Sequence, residues 1–260
     1  MHTFPHTFHP EVCSDEADRL CHTAPMQEFT PCPNQRMGKF LIFCLAAFTG
    51  VMFYIAVGNW MEFAILSDAV NGVAVHANQL DAVEQRSRLE IPLIALAGLA
   101  SGIAFLFFTG RTLQVARESG AEGLRYKYGW VVASYFLPIA SWFVPYAAMQ
   151  ESWRASNPEC GAHDWVASKG SNLIRLWWVL WLATLFTFSF SNAAQTPGLD
   201  LELNAYYGQA VTSLGVSLLY LALGIVSLLM VRSIVSRGLA KWEHTHGAAG
   251  VPKATIVEAS

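Results

Sequence analysis

Four apolar runs constrain this chain more than any other feature of it. They cover 40–60, 91–110, 173–190 and 210–231, and only the third holds a charge, Arg175. A helix needs about 20 residues to cross about 30 Å of hydrocarbon. Inside lipid the backbone must satisfy its own hydrogen bonds, which favours helices. A mid-span Arg or Lys costs roughly 2.5–3.5 kcal/mol. Arg175 avoids that cost by snorkelling to the interface beside Trp177 and Trp178. Composition agrees: 53% of residues are hydrophobic and 13% charged, against roughly 25% charged in soluble domains. The expected fold class is an all-α integral membrane protein with four transmembrane helices. A water-soluble helical core is the alternative set aside.

Residues 1–37 are polar and rich in Pro, His and Cys, without periodicity. They read as a disordered tail, and they lack the apolar core of a secretory signal. Met26 and Met37 leave a later start open. The membrane domain is expected over 38–232, with a second tail over 233–260. Between the first two runs, 61–89 has apolar residues at spacings of three and four (Phe63, Leu66, Val70, Val73). That pattern predicts an amphipathic helix outside the membrane, either extending span one or standing apart from it.

A fifth apolar run, 129–149, contains Pro138 and Pro145. Each proline removes a backbone donor and crowds the preceding turn. The run can cross as a kinked helix, giving five spans, or enter and return as a re-entrant or interfacial element. Basic residues arbitrate. If it does not cross, 14 of the 16 Lys and Arg residues share one face, and the other keeps Arg86 and Arg88. The positive-inside rule then makes the basic face cytoplasmic. The expectation is four spans with both termini cytoplasmic, in a bacterial inner membrane.

The order of motifs in this region carries a resemblance. Gly129-Trp130 opens the fifth run, and Pro138 and then Pro145-Tyr146 interrupt it. Trp153-Arg154-Ala155-Ser156 comes next, and Trp177-Trp178 with Trp181 lies in the span after that. This resembles the bacterial membrane family called domain of unknown function 4328. The resemblance implies a multi-pass membrane protein and no assigned activity. Many members have proline before the Gly-Trp pair, where this chain has Tyr128, so a less rigid entry turn is expected.

Each motif has a plain reading beside a functional one. The tryptophans 177, 178 and 181, beside Arg175, form either an aromatic belt or a surface that binds a lipid headgroup or a cation through cation–π contacts. Arg154 is either an anchor to the inside face or a fork for phosphate or carboxylate, with Ser156 capping the segment after it. Glu151 lies three residues before Arg154, at ion-pair spacing. Gly98 with Gly102, and Ala46 with Gly50, are small-xxx-small pairs expected to pack helices. Ser101 before Gly102 suggests an intramembrane serine protease, but no span holds a histidine base, and that reading is rejected. His2, His6, His9, Cys13, Cys21, His22 and Cys32 lack the spacing of a structural zinc site, so no metal is expected. The five cysteines are odd in number and scattered, and suggest no disulfide framework.

No Asp, Glu, Lys or His lies in the hydrocarbon part of a span. Ion-coupled transporters usually keep such groups at the midplane. The leading functional expectation is therefore a non-enzymatic scaffold or regulatory module, with no cofactor and no nucleic acid. The bilayer and an unidentified protein are its expected partners. The alternative is a transporter or lipid- or solute-binding protein, with a cavity lined by 129–149 and bounded by Pro138, Pro145, Trp153 and Trp181. An enzyme using Glu151, Arg154 and Asp164 ranks last.

Overall fold

The structure, a computed structural model, describes residues 34–194 and 203–247. Among these residues every regular element is helical. In chain order they are α1 (Asn34–Val70), α2 (Ala77–Glu118), α3 (Tyr128–Ser134), α4 (Val144–Ala155), α5 (Asn172–Ala194) and α6 (Leu203–Gly247). Short 3-10 turns at Ala140–Trp142 and Asp164–Ala167 join them. Three helices, α1, α2 and α6, are long and apolar enough to cross a membrane. Helix α5 is a fourth apolar helix, of 23 residues.

The long helices outrun the apolar runs inside them. At 1.5 Å per residue the 42 residues of α2 measure about 63 Å, twice the hydrocarbon thickness. This corrects the expected amphipathic helix over 61–89. The segment is two helix ends with a turn between them, where Asn71 and Gly72 cap α1 and Gly72 takes φ +79°. That left-handed conformation favours glycine. Helix α2 then starts at a reciprocal pair: His76 N–H donates to Gln79 Oε1 (3.0 Å), and Gln79 N–H to the His76 carbonyl (3.0 Å). It runs through Pro92, because the carbonyl that loses its partner, that of Arg88, lies on an exposed stretch. The tail expected from 233 is likewise helical as far as Gly247. The tail before Asn34, with its His and Cys residues, lies outside the described residues.

Helix α1 is the centre. It packs along α2 on one side and α6 on the other, and α5 packs on α6. Two glycines allow the close approach of α1 and α6: a Cβ on Gly224 would lie 2.6 Å from Thr49 Oγ1, and one on Gly38 2.5 Å from Val235 Cγ2. The order α2–α1–α6–α5 forms an arc, and its open side lies between α2 and α5. The main core, including Leu41, Phe108, Ile174, Trp177 and Met230, fills one end of this arc. Large apolar side chains elsewhere face outward, among them Phe43 (72% exposed), Leu96 (73%) and Val179 (60%). On helices this apolar, such faces suit lipid contact.

The proline-bearing segment lies across the open side at the core end. Helix α3 has seven residues, about 10 Å. Pro138 sits in the turn after it, and Pro145 occupies the first turn of α4, where a missing N–H costs nothing. The chain enters and leaves at one end: Glu122 N–H donates to the Ala162 carbonyl (3.0 Å), and Trp165 Nε1 donates to the Glu122 carbonyl (2.9 Å). The apex between α3 and α4 is apolar and exposed, with Phe136 at 74%, Ile139 at 81% and Phe143 at 65%. It reaches Phe186, whose ring lies 6.0 Å from that of Trp142. That point is about 21 Å along α5 from Asn172. The entry turn is held by packing rather than proline: the Tyr128 ring covers Gly110, 2.6 Å from where a Cβ would stand.

Candidate functional site

A cavity of about 720 Å³ occupies the arc, between α1, α2, α5 and α6. It runs from Leu45 to Asn59 along α1, about 21 Å. Its walls are chiefly apolar, from Phe48, Met52, Ile94 and Leu223. An aromatic group closes the core end: Trp177 stacks on Phe105 with centroids 5.3 Å apart, Trp181 lies 6.5 Å from Trp177, and Tyr135 stands beside them. Wall hydroxyls point back to backbone carbonyls. Ser101 donates to Cys44 (3.0 Å), Ser217 to Leu214 (2.9 Å) and Ser227 to Leu223 (2.7 Å). In lipid that arrangement satisfies each donor locally and leaves the oxygen free to accept.

The far mouth is polar. Asn59 is 8% exposed, and its Nδ2 donates to the Ser213 carbonyl (3.1 Å). Glu90 lines the mouth and pairs with Arg86 (3.3 Å), which also approaches Glu62 (4.0 Å). Arg86 lies against Gly58, whose missing side chain makes the room. One guanidinium between two carboxylates leaves the mouth with one net negative charge.

A second, polar pocket of about 590 Å³ opens at the core end. Trp153, Glu159, Lys169, Asn172 and Arg237 are among its lining residues. The Arg237 guanidinium lies 4.5 Å from the centre of the Trp153 ring. Gln150 holds the Ser171 edge of the pocket from behind through a two-way pair: its Nε2 donates to the Ser171 carbonyl (2.9 Å), and Ser171 N–H donates to its Oε1 (2.9 Å). Beside it Lys241, 5% exposed, donates to the carbonyls of Asn157 and Cys160 and joins α6 to the loop before α5. Burial pushes the Lys241 pKa down, and the neighbouring Cys160 opposes this.

Glu151 accepts a hydrogen bond from the Arg125 backbone N–H. Burial raises its pKa, and the Arg125 N–H and the charges of Arg125 and Arg117 pull the other way. Arg117 in turn donates to the carbonyls of Leu124 and Tyr126. The Glu151–Arg154 spacing thus gives way to a longer-range contact.

The residues singled out from the sequence divide between these places. Trp177 and Trp181 line the cavity; Tyr146 stacks on Trp178 (5.7 Å) just behind. Trp177 is 3% exposed, so it is core and not an interfacial belt. Trp153 belongs to the polar pocket, and Arg154 Nη2 stands 3.3 Å from a Cβ built on Gly170 in its wall. Ser156 ends α4 instead of capping the next segment, its N–H bonded to carbonyls of α4 itself. Arg175 is exposed and donates to Asn172 Oδ1 (3.2 Å). Gly129 and Trp130 lie in α3, with Trp130 half exposed, and the Pro138 carbonyl accepts from Ser141. Of the four residues expected to bound a cavity, Trp181 does so. Pro138 lies in the turn at the apex, Pro145 is buried at the start of α4, and Trp153 is two turns past Pro145 on the polar side. The one cation–π contact among the described residues joins Arg237 to Trp153, away from the 177–181 cluster. Of the small-residue pairs, Gly98 faces Phe48, whereas Ala46 and Gly50 are exposed, and a Cβ on Gly50 would meet nothing within 4 Å.

Sequence reading missed Gln150, Asn59, Arg237 and Lys241. Their partners are 21 residues away for Gln150 and 154 for Asn59, beyond any local spacing. A polar Asn at the end of an otherwise apolar run was the available signal for Asn59.

No curated protein and no solved structure matches the chain at a significant level. One family model does, over residues 71–236, from within the turn after α1 to the inner part of α6. That match takes in α2 to α5 complete, with the proline-bearing segment, the α2 and α5 walls of the cavity and the α4–α5 side of the polar pocket, and on it the chain belongs to the family described as Domain of unknown function (DUF4328).

Proposed function

We propose that this chain is a four-crossing membrane protein that holds an apolar or amphiphilic small molecule in the cavity between α1, α2, α5 and α6. One observation carries this reading: about 720 Å³ of chiefly apolar space with a polar mouth at one end. Ligand cavities typically measure 300–1,000 Å³ and combine apolar walls with a few polar groups. A scaffold needs no such space, so the cavity favours binding over the scaffold reading. The protein acts without catalysis in this proposal.

The topology belongs to the same proposal. Helices α1, α2, α5 and α6 cross, and 129–149 is re-entrant, its exposed Phe136, Ile139 and Phe143 standing in lipid. The contact between Glu122 and Ala162 supports this, because both flanks of the segment then lie on one side. Basic residues on that side make it cytoplasmic, in a bacterial inner membrane with both termini inside. Cysteines replacing Glu122 and Ala162 should label from one side of the membrane, and one replacing Asn71 from the other.

Gly102→Phe tests the binding itself. Gly102 lines the cavity, and a Cβ there meets nothing within 4 Å. The phenyl group should fill the space without disturbing the helices. Native mass spectrometry of the wild-type chain released from detergent should show a bound small-molecule adduct, and the variant should lose it at unchanged thermal stability. A wild-type chain that is released bare, or a variant that keeps the adduct, removes the basis of the proposal.

A further inference from the structure

We propose that the polar pocket at the core end binds a phosphate-bearing anion between Arg237, Lys169 and the N-terminus of α5. The site is separate from the intramembrane cavity and does not depend on it. Arg237 and Lys169 line the pocket against one acid, Glu159, and Arg154 stands behind Gly170 in its wall. The balance therefore favours an anion. Arg237 is held against the Trp153 ring. That contact fixes the guanidinium before any ligand arrives, which lowers the entropy lost on binding.

The nitrogen inventory points the same way. The Nε atoms of Arg237 and Arg154 are both shut off from solvent and have no hydrogen-bond partner among the described residues. Neither guanidinium has a carboxylate partner among the described residues, so two uncompensated positive charges flank the pocket and favour an anion there. Ser171 and Asn172, at the start of α5, also line it. Ser171 Oγ already caps the Ile174 N–H (3.4 Å), and the positive end of a 23-residue helix adds to the field. A planar fork, a flexible ammonium and a helix N-terminus suit the tetrahedral, multiply charged oxygens of phosphate. The pocket stands where α5 starts beside Arg175 and its tryptophans. At that level the phosphate can come from a lipid headgroup or from a soluble phosphoester.

The test uses the full chain in a neutral detergent, with thermal unfolding followed as phosphatidylglycerol, phosphatidylcholine or inorganic phosphate is added. Stabilisation reports binding to the native state. Phosphatidylglycerol, or inorganic phosphate beyond chloride of equal ionic strength, should raise the unfolding temperature. A response to the lipid alone identifies a headgroup site, and a response to inorganic phosphate identifies a site for soluble phosphate; either supports the proposal. Arg237→Gln and Lys169→Gln should each raise the half-effect concentration about tenfold, the scale of one charge-assisted hydrogen bond. Arg88→Gln, at the opposite end, should leave it unchanged. Lys169 is exposed, so its variant tests the site even if Arg237→Gln does not fold. The proposal is overturned if neither anion stabilises the chain more than phosphatidylcholine or chloride does. It is equally overturned if Lys169→Gln responds like wild type.

Discussion

Gln150→Ala should unlock the junction between the proline-bearing segment and α5. The side chain is 6% exposed and makes two hydrogen bonds of 2.9 Å, one each way, with the backbone of Ser171. Each contributes about 0.5–1.5 kcal/mol net, and leaving a buried backbone group unpaired costs about 1–3 kcal/mol more. The Ser171 N–H loses its partner, whereas its carbonyl keeps the Arg175 N–H (3.4 Å), and water reaches part of the gap. The expected cost is therefore about 2–4 kcal/mol. In equilibrium terms that is on the order of 30- to 1,000-fold. Reversible unfolding in mixed micelles with rising SDS measures it, and hydrogen exchange at the Ser171 amide localises it. Gln150→Glu keeps the acceptor for the Ser171 N–H and loses the donor to its carbonyl, so it should protect that amide while still losing stability. If Gln150→Ala stays within about 0.5 kcal/mol of wild type and the Ser171 amide exchanges at its original rate, the pair does not hold this junction.

Three further outcomes rest on the same contacts. Gly170→Ala puts a Cβ 2.7 Å from Gln150 Oε1, so it should cost about 1–3 kcal/mol, and less in a Gln150→Ala background, as a double-mutant cycle would show. Gly224→Val drives a side chain into Thr49 of α1, 2.6 Å away, and should lower the thermal midpoint by loosening α1 from α6, whereas Gly215→Ala, in open space on the same helix, should not. Glu151 has its pKa raised by burial above the ordinary 4.5, so the native state holds the proton more tightly than the unfolded chain. Its contribution to stability is present below pH 4.5 and lost as pH climbs through the raised value, and Glu151→Gln should flatten that step in a pH series of unfolding midpoints.

Much of the fold was legible because a bilayer leaves few choices. Charge-free runs near 20 residues become helices, since lipid offers the backbone no other partner. The same constraint hid the helix ends. Once started, α1, α2 and α6 continue well beyond their apolar runs, where hydropathy gives no signal, and the turn at Asn71–Gly72 fell inside a stretch read as one amphipathic helix. The prolines of 129–149 correctly marked a break. Their separate roles, Pro138 in the turn and Pro145 in the first turn of α4, depend on what packs around them.

The sites divide in the same way. Local spacing alone puts Trp177 and Trp181 on one helix face and Arg154 directly after Trp153, because helical periodicity fixes neighbours up to four residues apart. It carries no information that Trp177 faces Phe105 or that Arg237 covers Trp153, 84 residues away. Nor could it place Lys241 on the carbonyls of Asn157 and Cys160. Those contacts exist because α6 returns beside α1 and the proline-broken segment closes one end of the arc. A cavity is a property of the space between helices, and the way those helices pack sets where that space is left.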